Sequence, residues 1–105
     1  DSPPWRIGIE DPADPARVVA VVPVRCGAVA TSGRAHRGDH VVDARTGRAP
    51  DGIASVTVVH AELTSADIDA TAAYAMGRDA ARWLRTRPRR TGLVVWADGR
   101  REVVP

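Results

Sequence analysis

Apolar and polar residues alternate over Trp5–Glu10, with Trp5, Ile7 and Ile9 set against Arg6, Gly8 and Glu10, the period of a half-buried strand. Asp11-Pro12-Ala13-Asp14-Pro15 breaks that run into a tight, solvated turn. Val18–Val24 is nearly all valine, which predicts a β-branched strand buried on both faces, with Pro23 setting its end near an edge or bulge. Strand, turn and strand together predict a hairpin. Cys26–Thr31 is a third short apolar run, closed by Ser32-Gly33. Arg34–Asp39 reads as a loop, and His40-Val41-Val42 as an extended run ended by Asp43-Ala44-Arg45-Thr46-Gly47. A second loop, Arg48–Gly52, leads into Ile53–His60, where Ser55, Val56, Thr57, Val58 and Val59 favour a strand.

The period then changes. Thr64-x-x-Asp67 fits a capping box in its Asp form and predicts a helix from about Ser65 to Gly77. Ile68, Ala72, Ala75 and Met76 supply its apolar stripe, and Gly77 its stop. Asp79 is placed to cap a second helix with Ala80, Trp83 and Leu84 inward, ending before Pro88. Leu93–Trp96 reads as a buried strand, Asp98-Gly99 as a hairpin turn, and Arg101–Val104 as the returning strand. Strands, two helices and a hairpin in that order predict an α+β fold, with both helices on one side of a mostly antiparallel sheet.

Composition narrows the class. At 105 residues, 44% of them hydrophobic and 27% charged, the chain suits one globular unit, residues 1–105, without repeat or linker. No apolar run approaches the roughly 20 residues that span a bilayer, and Asp1–Glu10 lacks the pattern of a signal peptide. Cys26 is alone, which excludes an internal disulfide and cysteine zinc folds. Net charge is +2 and every basic residue is Arg, but acidic residues are interspersed throughout, which argues against a nucleic-acid surface. Arg85, Arg87, Arg89 and Arg90 cluster around Pro88 and read as a solvated turn.

Four places could carry chemistry. Asp67 and Thr71, four apart on a helix, share a face, and two hard oxygens side by side can hold Mg²⁺ with waters and phosphate oxygens. The bland reading is that Asp67 caps the helix and Thr71 bonds back to the preceding turn. His36 and His40 have metal-pair spacing only on a helix, which Gly38 and Val41-Val42 oppose; His40 and Asp43 instead flank a strand end that could face a cleft. Thr31-Ser32-Gly33 lacks the surround of a hydrolase elbow and is read as a tight turn able to face an anion. Asp43–Gly47, with Arg45 and Arg48, could line a phosphate-bearing ligand, though no P-loop or dinucleotide glycine motif occurs.

Taken together, Gly27-Ala28-Val29-Ala30-Thr31-Ser32-Gly33, His40-Val41-Val42-Asp43-Ala44-Arg45-Thr46-Gly47-Arg48, Ala54-Ser55-Val56-Thr57-Val58-Val59 and Ala66-Asp67 to Thr71-Ala72 resemble the ApbE family of FAD:protein FMN transferases. The agreement in order and spacing runs from Trp5 to Gly99, and the pairing of His-x-x-Asp-x-x-Thr-Gly with Ala-Asp-x-x-x-Thr is its most specific part. The resemblance implies that the chain is the carboxy-terminal lobe of a larger ApbE-like (T-fold-like) domain. It implies cleavage of FAD, transfer of FMN through a phosphoester onto a Thr or Ser of an acceptor flavoprotein, release of AMP, and a need for Mg²⁺. By position it implies Asp67 and Thr71 as metal ligands and His40 as a functional residue that could act as a base. Val42 matches a flavin-contacting position, and Asp43, Thr46 and Gly47 match the turn that shapes the site.

Two positions depart from many relatives: Ala44 stands where a proline is common, and Ala70 where some carry a further carboxylate. The family is also longer, and its amino-terminal portion, which supplies much of the FAD pocket, is an expected partner. Family members are often extracytoplasmic lipoproteins, and any such signal would lie upstream of Asp1; a cytoplasmic location stays open. The competing readings are a non-catalytic FAD- or metal-binding module, an FAD pyrophosphatase, and a chain that dimerises through an exposed sheet edge.

Overall fold

The structure, a computed structural model, describes residues 5–24, 27–33 and 50–105. Strands β1 (Trp5–Asp11) and β2 (Asp14–Val24) form the expected antiparallel hairpin, in the register Ile7↔Val22. Its turn is closed by the Asp11 and Asp14 carboxylates, which accept the backbone N–H groups of Ala13 and Ala16 at 2.9 and 3.1 Å. Four further strands, β3 (Ala28–Gly33), β4 (Ile53–His60), β5 (Arg90–Trp96) and β6 (Arg101–Val104), form a second, wholly antiparallel sheet in the order β3-β4-β5-β6. Between β4 and β5 the chain makes helix α1 (Leu63–Ala75), a 3-10 turn (Gly77–Asp79) and helix α2 (Ala80–Arg85).

The core lies between one face of the four-stranded sheet and the two helices. Val56 and Val58 of β4, Val94 of β5 and Val104 of β6 meet Ala66, Ala70, Ala73 and Tyr74 of α1 and Ala80, Ala81 and Leu84 of α2. Gly92 makes the α2 contact possible, because a Cβ there would come within 2.8 Å of the Leu84 Cδ1. The other face is approached by β2: Ala20 and Val21 line a groove of about 180 Å³ with Thr57, Val59, Leu93 and Val103.

Several expectations are corrected. The valine run of β2 is not buried on both faces, since Val18 is 58% and Val21 50% exposed; the ribbon has only two strands, and Val21 lines a groove toward the sheet without being enclosed by it. No capping box forms: α1 starts at Leu63 with Glu62 as its cap residue and no side-chain cap bond. Its buried stripe is Ala66, Ala70, Ala73 and Tyr74, whereas Ile68 is 58% exposed. That stripe has the predicted i, i+4, i+7, i+8 spacing, but starts two residues earlier, about 200° round the helix. Packing decides the choice, because alanines let the helix lie close over Val56 and Val58. Gly77 does end the helix, at φ +57°, with Asp51 O only 2.9 Å from where a Cβ would stand. Asp79 sits at the start of α2 without capping it; its Oδ1 accepts from Arg82 Nη2 at 3.0 Å. Ser32-Gly33 is not a turn but the end of β3, paired with Val56 and Ser55.

Candidate functional site

α1 carries two carboxylates, and the fold sends them in opposite directions. Asp69 is buried, 1% exposed, and forms ion pairs with Arg90, whose side chain is 5% exposed, and with Arg87 at 3.6 Å. Arg87 also lies over the Trp83 ring, 5.3 Å from its centroid. The arginine cluster around Pro88 is therefore not a uniformly solvated turn: Arg90 reaches inward to neutralise a carboxylate that α1 has carried into the core, and Arg85 pairs with Glu102. Asp67, two residues earlier, stays at the exposed surface of α1.

Thr71, one turn on from Asp67 and on the same face, is partly buried. Its hydroxyl is 3.0 Å from the hydroxyl of Ser32 in β3, 39 residues away in sequence. The strand register explains this contact. Ser32 is paired with Val56, a residue of the helix-facing core, so its side chain also projects toward α1 and is fully buried there. The preceding residue, Thr31, points the other way and bonds to Thr57 on the opposite face, Oγ1 to Oγ1 at 2.8 Å. The result is a carboxylate and a hydroxyl on one helix face, with the hydroxyl tethered to the sheet behind it.

Of the residues singled out from sequence, Asp67 and Thr71 are described; His36, His40, Val42, Asp43, Arg45, Thr46, Gly47 and Arg48 lie outside the described residues. Among the described residues, no group of three or more His, Cys, Asp or Glu is placed to hold a metal ion. Position 70 is an alanine, fully buried in the core, and carries no carboxylate. Ser32 and the Asp69–Arg90 pair were not assigned these roles from sequence. Strand alternation carries the signal for Ser32 only once the register to Val56 is known. A second cavity, of about 430 Å³, lies by the β5–β6 hairpin, but its charges are matched locally: Arg78 with Asp51 at 3.0 Å and Arg100 with Asp98 at 2.8 Å. There the Arg100 backbone N–H, then its guanidinium, hold the Asp98 carboxyl below its ordinary range.

The family model described as the ApbE family matches residues 1–95. Among solved structures, the chain is similar to the ApbE protein from Thermotoga maritima, at 30% identity and a TM-score of 0.83, covering 96% of this chain and 36% of that one. It is also similar to the flavin transferase ApbE from Vibrio cholerae, at 29% identity and a TM-score of 0.73, over 95% of this chain and 35% of that one. A variant of the Vibrio cholerae protein with one histidine replaced by glycine matches at 28% identity and a TM-score of 0.68, over 96% and 32%. The chain thus spans about a third of the length of these structures. No curated protein sequence matches.

Proposed function

The chain belongs to the ApbE family, and from that premise we propose that it is the metal- and flavin-contacting region of a flavin transferase. The reaction proposed is transfer of FMN from FAD to a Thr or Ser hydroxyl of an acceptor flavoprotein. The acceptor oxygen bonds to the phosphorus of the FMN half, the P–O bond to the AMP phosphate breaks, the hydroxyl proton leaves, and AMP is released. The carrying observation is the pairing of exposed Asp67 with a Thr71 hydroxyl fixed from behind by Ser32.

The donor set suits Mg²⁺. One carboxylate and one hydroxyl, both hard oxygens, leave most of an octahedral shell to water and phosphate, as Mg²⁺ prefers, whereas zinc favours several nitrogen or sulfur ligands. Asp67 and Thr71 would hold the cation, which when bound offsets charge on the diphosphate. In the same reading His40 accepts the acceptor proton, Val42 contacts the flavin, and Asp43, Thr46 and Gly47 shape the turn around it. The remaining length of the family fold supplies the rest of the FAD pocket.

The test is incubation of the intact protein with FAD, Mg²⁺ and an acceptor flavoprotein, followed by mass spectrometry of the acceptor and assay of AMP. Covalent FMN on the acceptor with equivalent AMP, both lost in Asp67→Ala, supports the proposal. AMP without acceptor modification would make the protein an FAD pyrophosphatase. Saturable quenching of flavin fluorescence with neither product would make it a binding module.

A further inference from the structure

We propose that Ser32 is a positioning residue for the cation site, acting through Thr71; the inference rests on the metal reading of Asp67 and Thr71 above. A threonine hydroxyl has one proton and two lone pairs. When a lone pair is directed at a cation, the proton must point elsewhere and needs an acceptor. A helical threonine commonly gives that proton to the carbonyl one turn back, which here belongs to Asp67 and would fix the hydroxyl by its own helix alone. In this structure the Thr71 hydroxyl meets Ser32 Oγ at 3.0 Å.

Ser32 is a well-fixed partner for that hydroxyl. It is fully buried, where an unbonded hydroxyl is costly, and the Thr71 hydroxyl is the partner the structure gives it. Its strand has little slack: Thr31 is bonded to Thr57 at 2.8 Å, and a Cβ on Gly33 would fall 2.7 Å from Ala54 O, so β3 lies hard against β4 on either side of Ser32. Thr71 is equally constrained, since α1 is seated on the sheet through the fully buried Ala66, Ala70 and Ala73. The 3.0 Å contact allows either hydroxyl to donate; with Ser32 Oγ taking the Thr71 proton, the Thr71 lone pairs are left for a cation. Outer-shell partners of metal ligands commonly contribute 10- to 100-fold in metal affinity.

The test is Mn²⁺ binding to the intact protein, followed by electron paramagnetic resonance of the free ion, with thermal melts to confirm folding. Ser32→Ala weakens Mn²⁺ binding about 10-fold. Ser32→Cys, nearly isosteric but a weak acceptor, gives a similar loss without opening a void. In a Thr71→Ala background Ser32→Ala causes no further loss, and in a Thr71→Ser background it again weakens binding. Unchanged affinity in both Ser32 variants, with Asp67-dependent binding intact in the unmodified protein, overturns this inference and leaves the metal reading standing. An equal loss in the Thr71→Ala background also overturns it, by showing that Ser32 acts on the fold and not through Thr71. Absence of Asp67-dependent Mn²⁺ binding in the unmodified protein overturns the metal reading and this inference together.

Discussion

Replacing Asp69 by Ala removes the counter-charge of Arg90, whose side chain is 5% exposed. Removing one partner of a buried ion pair typically costs about 3–5 kcal/mol, because the remaining charge stays desolvated. Two features favour the lower end. Arg90 is the first residue of β5, so its side chain has a route to solvent, and the second ion pair, from Arg87, is half exposed and screened. A loss of about 3 kcal/mol follows. With a urea slope of about 1.5 kcal/mol/M for a chain of this size, the midpoint falls by about 2 M. Asp67→Ala, on the exposed side of the same helix, shifts stability by less than about 1 kcal/mol. The double replacement Asp69→Leu with Arg90→Met recovers most of the loss, since apolar residues can substitute for a buried pair. Urea unfolding followed by circular dichroism measures all three. A cost below about 1 kcal/mol for Asp69→Ala, or a cost for Asp67→Ala as large, would refute the assigned rotation of α1.

Gly77→Ala forces a Cβ into a left-handed backbone at φ +57°, 2.9 Å from Asp51 O, and lowers stability by about 1–2 kcal/mol in the same unfolding assay. Thr31→Val leaves the buried Thr57 hydroxyl without its 2.8 Å partner and costs about 1–3 kcal/mol, which Thr31→Ser restores. The Asp98 carboxyl, held down first by the Arg100 backbone N–H and then by its guanidinium, titrates below its ordinary 3.8 when followed by NMR. Because its folded value is depressed, the turn contact is present above the unfolded pKa and lost as pH falls through the folded one. Arg100→Ala raises the midpoint toward 3.8 while keeping part of the depression, since the backbone bond remains.

Local chemistry made some elements legible in the sequence and tertiary packing decided others. β4 and β6 have the predicted bounds because β-branched residues and the Asp98-Gly99 turn are local signals. Gly77 is equally local. The face of α1 is not: two stripes of identical spacing compete, and the larger side chain of Ile68 favours the wrong one until the closeness of the sheet selects alanines. Helical spacing alone turns Asp69 away from Asp67; that it enters the core depends on Arg90, 21 residues on and across a helix and a turn. For the candidate site, the Asp67–Thr71 spacing is visible in sequence, but the Ser32 contact spans 39 residues and depends on strand register. His40, Val42, Asp43, Thr46 and Gly47 fall outside the described residues, so their roles rest on the family resemblance.

The proposed function stands or falls on Asp67 and Thr71 sharing a divalent cation beside the diphosphate of FAD. Crystals of the intact protein grown with FAD and Mn²⁺, with anomalous diffraction collected near the manganese edge, test it directly. One anomalous peak is expected within about 2.0–2.4 Å of both the Asp67 carboxylate and the Thr71 hydroxyl, with diphosphate oxygens completing the shell. A peak bound elsewhere, or FAD seated with its diphosphate away from α1, would contradict it.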